Sequence, residues 1–320
     1  MRKIFMLVLL TVASTTAQVR TLKFKFESDR SKEKNIMEDL ERFKKSETIF
    51  AMPEYYSLEA YKSILDEVWD LTPYKLIYEK DLNVEHYQVG KGIVKLLSRG
   101  SAKRKIGEDL PSSSTYLAYL QFQVIDEVKV KRKNTTYNFS LLGLIYFTPG
   151  TSAIKDMYFE EKKRIVRNAD LVNYKYVYLK NFIKQVNDNL KEGKIIDFTD
   201  DYFFPELSNL KSEVLYIDVD IFKGRALNSD IDMEGYLTTK LENYTLNYEI
   251  ISYDDLEKKM NENSDKDFYY LMVNQINSYK MISVVNGKTG KIIYQDVTNM
   301  SYELKDTDFK KLEEAINETE

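Results

Sequence analysis

The feature that most constrains the fold is a strand–helix–strand pattern written twice in one chain. In the first half, Thr48-Ile49-Phe50-Ala51-Met52 is an apolar run ended by Pro53, the mark of a buried strand. Ser57 stands where a helix N-cap belongs, and Leu58, Tyr61, Leu65, Val68 and Trp69 then recur on one helical face. Tyr74-Lys75-Leu76-Ile77-Tyr78 reads as the next strand. In the second half, Val214-Leu215-Tyr216-Ile217 is a strand, and Met233, Leu237, Leu241 and Tyr244 share a helical face. Tyr248-Glu249-Ile250-Ile251 is the strand that follows. Tyr74 aligns with Tyr248, Leu76 with Ile250, Asp81 with Asp255 and Leu82 with Leu256 without a gap, while Trp69 and Tyr244 are one place out of register. A β-α-β unit present in two diverged copies accounts for this.

The echo continues past the units. Thr115 to Val130 is strand-rich, Lys131 to Asn134 makes a polar turn, and Tyr137 to Phe147 runs back. These are matched in the second half by Phe268 to Val273, a turn at Asn277-Ser278, and Met281 to Val285. Asn286-Gly287 and Gly290 then bound a tight reversal into Ile292-Ile293-Tyr294. An Asn-Gly between apolar alternations is a strong hairpin signal. Each half is expected to close with a helix, at about 154–168 and at 306–318, where Phe309, Leu312 and Ile316 share a face. Val19 to Phe26 reads as an opening strand and 30–45 as a charged helix with Ile36, Leu40 and Phe43 as its apolar stripe. Tyr174 to Leu190 reads as an amphipathic helix stopped by Gly193. Gly90 to Ser114, rich in Gly, Ser and Lys, looks the least ordered. The expected fold class is therefore α/β (α+β): two related mixed-sheet domains, each a β-α-β unit followed by a β-hairpin or meander and a closing helix. The expected boundaries are 18–170 for the first domain, 171–212 for a helical connector and linker, and 213–320 for the second.

The first 17 residues carry a different message. Arg2 and Lys3 precede an apolar run from Ile4 to Ala13, and Ser14-Thr15-Thr16-Ala17 supplies small residues. This is the layout of a signal peptide cleaved after Ala17, and the run falls short of the roughly 20 residues that a membrane-spanning helix needs. The expected location is periplasmic or extracellular, with no transmembrane segment in the mature chain. Losing Arg2 and Lys3 takes the net charge from −4 to −6.

Composition then excludes several chemistries. Cysteine is absent, so there is no disulfide, no thiolate nucleophile and no Cys-ligated metal. An exported chain without cysteine suits a bacterial envelope, and it has no lipobox. Histidine occurs once, at His86, so no multi-His metal site can form, and no Gly-x-Ser-x-Gly elbow accompanies it. Basic clusters at Lys103-Arg104-Lys105 and Lys129-Val130-Lys131-Arg132-Lys133 are short against a net acidic chain, which argues against nucleic acid. The 25 tyrosines and 16 phenylalanines favour sheet surfaces and packed α/β interfaces.

Two motifs invite a chemical reading. Gly287-Lys288-Thr289 resembles part of a phosphate loop, but position 282 is Ile where the pattern needs Gly, and a strand follows it instead of a helix. Asp218-Val219-Asp220 ends an expected strand. Spacing of two would put both carboxylates on one side, where they form a candidate metal pair that lacks further oxygen ligands. Asp200-Asp201 is weaker, and Asp254-Asp255 fits a helix N-terminus. No catalytic residue and no cofactor is assigned.

The signal ending in Thr-Thr-Ala-Gln, the absence of cysteine and the bias to Lys, Asn, Tyr and Ile resemble exported proteins of the Bacteroidetes type. Phe268-Tyr269-Tyr270-Leu271 and Ser283-Val284-Val285-Asn286-Gly287-Lys288-Thr289-Gly290-Lys291-Ile292-Ile293-Tyr294 are similar to stretches of uncharacterised secreted proteins of that group. Over about 100 residues, the strand–helix–strand order with its Gly-turned hairpin also resembles the periplasmic α/β domains of TolB-like and curli-secretion proteins. These resemblances imply a fold and a compartment but no functional residues. The leading expectation is a non-catalytic exported protein with a protein or polysaccharide partner in the envelope. The alternatives are a carboxylate-dependent enzyme acting on carbohydrate, and a surface adhesin with an exposed aromatic patch.

Overall fold

The computed structural model describes residues 19–22, 30–103, 113–131, 134–150, 171–196, 201–223, 232–262, 266–301 and 303–319. The expected signal peptide and the expected helix at 154–168 lie outside them. The strands are β1 (Val19–Thr21), β2 (Thr48–Met52), β3 (Tyr74–Tyr78), β4 (Gly92–Lys103), β5 (Ser113–Lys131) and β6 (Asn134–Phe147), then β7 (Tyr202–Phe203), β8 (Leu215–Asp218), β9 (Tyr248–Ile251), β10 (Tyr269–Ile276), β11 (Tyr279–Asn286) and β12 (Ile292–Asn299). The principal helices are α1 (Arg30–Lys44), α2 (Leu58–Val68), α3 (Tyr176–Glu192), α4 (Met233–Lys240), α5 (Tyr253–Glu262) and α6 (Asp306–Glu318).

Two six-stranded sheets result, in the orders β1-β6-β5-β4-β2-β3 and β7-β12-β11-β10-β8-β9. Adding six to each strand number of the first gives the second. Directions match as well: β2 runs parallel to β3 and β4, as β8 does to β9 and β10, and the remaining pairs are antiparallel. The protein is thus mixed α/β with two similar sheet units.

The match shifts the sequence pairing by one strand. The partner of β10 is β4, in the Gly90–Ser114 stretch that looked unordered, and β5 and β6 match β11 and β12. The expected opening strand over 19–26 is described only at its start. Its three residues pair with β6, and Leu22, at φ 56°, still donates its N–H to Leu142 O at 3.1 Å. The stretch 197–212, read as a linker, supplies the edge strand β7 and a 3₁₀ segment, Pro205–Lys211, that buries Leu207 and Leu210.

Local chemistry explains the elements. Strand β2 is buried along its whole length between two parallel neighbours, so its sequence is a continuous apolar run. Each such large side chain taken out of water contributes about 1.5–3 kcal/mol. The Ser57 side chain accepts from Ala60 N at 3.2 Å to start α2, whose Tyr61, Ile64, Leu65 and Val68 face the core. Trp69 ends that helix and donates its indole N–H to Thr72 at 3.1 Å. Helix α3 stops at Gly193, which takes the left-handed φ of 66° that other residues resist.

Helix α3, expected as a connector, is the first described helix after β6, as α6 is after β12, and it packs on both units. Phe182 meets Phe147 of β6, and Val186 lies over Gly143. Asn187 accepts from the backbone N–H groups of Asp70 and Leu71, both at 3.1 Å. Tyr178, Asn181 and Gln185, spaced to share another face, reach Asp218, the Tyr270 hydroxyl and Gly290 O respectively, at 2.6, 2.8 and 2.8 Å. The edge of β6 and the end of β10 also meet. Gln275 N donates to Thr148 Oγ1 at 2.9 Å, and Leu144 and Tyr146 pack with Ile276 and Met281.

Candidate functional site

Ligands of open α/β sheets bind beyond the carboxyl ends of the parallel strands. Here those ends are Met52-Pro53 after β2 and Asp218 after β8, and the segment Tyr174–Tyr178 at the start of α3 reaches both. On the first side, the Tyr174 ring lies 5.2 Å from Tyr55 and 4.8 Å from Phe147. Its hydroxyl exchanges a hydrogen bond with Tyr61, which donates to Pro53 O at 3.0 Å. Tyr56 donates to Tyr174 O at 3.3 Å.

On the second side, the Asp218 side chain is fully enclosed. Its Oδ2 accepts from the Tyr178 hydroxyl at 2.6 Å and from Lys175 Nζ at 3.5 Å, and its Oδ1 accepts from Asp220 N at 2.8 Å. The Lys175 ammonium also sits 4.3 Å above the Tyr253 ring. Tyr253 in turn accepts from Val177 N at 3.1 Å, so its hydroxyl serves the otherwise unpaired first turn of α3. Burial raises the Asp218 carboxyl above the usual carboxylate range, while Lys175, Tyr178 and the Asp220 N–H pull it back. Burial, and next the Asp218 charge, push the Tyr178 phenol well up.

The expected pairing of Asp218 with Asp220 on one strand face is corrected by this geometry. Strand β8 ends at Asp218, and Asp220 opens a short helical turn, Asp220–Lys223, where its Oδ2 accepts from Tyr253 N at 3.0 Å. Asp218 uses both oxygens on protein donors. Among the described residues, no group of three acids or histidines is gathered as a metal ion would require.

The Gly-Lys-Thr segment is the β11–β12 turn. Asn286 Oδ1 accepts from Lys288 N at 3.0 Å and Thr289 N at 3.1 Å, so the amides that would cradle a phosphate are already bonded. Gly287 lies against the Phe268 ring, which a Cβ would strike. His86 is exposed in the 3₁₀ turn Val84–His86 beside Asn83. Lys129 pairs with Glu127 at 2.8 Å, Asp201 accepts from Val297 N at 2.6 Å, and Asp254 and Asp255 stand in the first turn of α5. Arg104, Lys105, Arg132, Lys133 and Asp200 lie outside the described residues.

An open groove of about 690 Å³ runs between α2 and β3, lined by Leu58, Glu59, Lys62, Asp66, Tyr74 and Leu76 among others. Lys62, then Tyr74, hold the Asp66 carboxyl below its usual range. The Glu59 N–H and the Ser57 hydroxyl do the same for Glu59. Both groove acids are therefore ionised at neutral pH, whereas glycoside hydrolysis needs one acid kept protonated by a raised pKa.

Lys175, Tyr178 and Tyr253 were not singled out in the sequence, because they meet Asp218 from 35 to 43 residues away on either side. The one available signal was Tyr178 itself, a polar-tipped aromatic within an apolar helical stripe. Compared with known proteins, the chain matches no family model, no curated protein and no solved structure.

Proposed function

We propose that this is an exported, non-catalytic protein of a bacterial cell envelope, with a binding or assembly role toward a protein or polysaccharide partner. The observation that carries the non-catalytic part is the use of Asp218. It is the buried carboxylate at the mouth of the parallel strands, and all of its bonding goes to Tyr178, Lys175 and the Asp220 N–H. A carboxylate so engaged has a protein donor on each of its oxygens and serves to position the second unit against α3. Export is supported by the Arg2–Ala17 pattern and the lack of cysteine.

The test has two arms. In a bacterial host the chain should be recovered outside the cytoplasm with Gln18 as its N-terminus; an intact Met1 start in the cytoplasm overturns export. Purified protein incubated with a panel of glycosides, polysaccharides and phosphoesters should release no product. Turnover that disappears in Asp218→Asn or Asp66→Asn would overturn the non-catalytic reading.

A further inference from the structure

Strands β3 and β9 occupy the same place in the two units, the outer edge beyond the parallel trio, and among the described residues each has a single neighbour in its sheet. Lys75 stands beside Ile49 in the register of β3 on β2, and Glu249 beside Tyr216 in that of β9 on β8. These are equivalent positions with opposite charge, and both side chains are exposed. The residues flanking them are apolar in both strands: Tyr74 and Leu76 in one, Tyr248 and Ile250 in the other. Tyr248 is 36% exposed. Beside β3 runs the groove against α2, with Tyr74 and Leu76 on its wall.

An edge strand is a template for another strand, and proteins commonly block such edges with charge. A blocking charge works by repelling copies of itself. Two edges of opposite sign do not repel each other. From this we infer that the protein self-associates head to tail, β3 of one copy pairing antiparallel with β9 of the next. With Lys75 set beside Glu249 of the next copy, the alternation of side chains places Tyr74 against Ile250 and Leu76 against Tyr248. Tyr248 and Ile250 then lie on the α2 side of the joined sheet, over the groove. The ion pair falls on the other face, where Lys259, 3.7 Å from Glu249 in the free protein, is its competitor.

Such a contact is heterologous. Each copy added leaves one free β3 edge and one free β9 edge, so association runs past a pair until the rotation between copies closes a ring, or continues as a filament where it does not. The overlap is four or five residues long, which makes association weak and concentration-dependent. The inference names a second copy as partner and does not rest on the export reading, because it is tested on purified protein alone.

The experiment is sedimentation velocity on the purified full chain across a wide concentration range at low salt. The expected result is a weight-average mass that climbs with concentration in the unaltered protein. Lys75→Glu and Glu249→Lys should each hold the protein near monomer mass, moving assembly to roughly tenfold higher concentration. An equimolar mixture of the two variants should assemble again, since copies of the two then alternate and opposite charges meet at every junction. Far-ultraviolet circular dichroism should be unchanged in both, because both side chains are exposed. Monomer mass throughout in the unaltered protein overturns the inference. So does assembly indifferent to either reversal, or a mixture that stays monomeric.

Discussion

The two units share a strand order and differ in how the first described helix after the sixth strand is held. In the second unit, α6 is fixed by a buried charge pair. Lys280 of β11 donates to Asp308 and to Glu303 O, and the Lys280 side chain is 1% exposed. Asp308 also accepts from Lys305 N at 2.7 Å, closing the N-terminus of α6. In the first unit, α3 must satisfy two sheets at once, and it does so mainly with neutral groups: Asn181, Gln185 and Asn187 along its length, and Tyr178 near its start. A helix that serves one sheet can commit a full charge in one direction. A helix between two sheets distributes weaker bonds to both sides, because each unpaired buried charge would cost more than a neutral amide.

The contrast gives an ordered set of expected effects. Asp308→Ala is the largest, since it strands the Lys280 ammonium in the core. A loss of about 3–5 kcal/mol is expected by urea unfolding, and Lys280→Met with Asp308→Leu should recover most of it. Tyr178→Phe comes next, at about 1–3 kcal/mol, because Asp218 loses its shortest side-chain bond while staying buried. If Tyr178→Phe cost as much as Asp308→Ala, the distinction between charged and neutral anchoring would fail.

The smallest effect is a pH dependence. The folded Asp218 carboxyl is raised above its unfolded value of about 3.9, so the folded state holds the proton more tightly than the unfolded chain does. The stabilisation from this group is therefore complete below about pH 4 and is lost as pH rises through the folded value. Urea midpoints of the unaltered protein and of Asp218→Asn, measured from about pH 3.5 to 8, should differ progressively in favour of the variant as pH rises. A constant offset would place the carboxyl at its ordinary value.

Much of this was legible in the sequence, and the failures have physical causes. The repeat was visible because β2 and β8 are buried on both faces and cannot carry polar residues. Helix α6 was placed at its observed bounds because Phe309, Leu312 and Ile316 keep a helical period against a single sheet. Strand β4 was missed because its far end, Ser98-Arg99-Gly100-Ser101-Ala102-Lys103, carries no apolar alternation in the sequence, and it pairs with β5 past the point where the pairing with β2 stops. The strand echo was consequently matched one place late. The Asp218 cluster was half legible. Its acid stood out, but the partners that consume it belong to a helix whose polar face has meaning only once the second sheet is in place.

That helix also sets a condition on synthesis. As the chain lengthens from its N-terminus, α3 is complete some eighty residues before the Tyr270 hydroxyl and about a hundred before the Gly290 carbonyl are made. During that interval its outward side offers water two carboxamides and a phenol in place of a bare greasy stripe. The half-finished molecule is thereby hydrated where it waits, and the docking partner it waits for is its own remaining length.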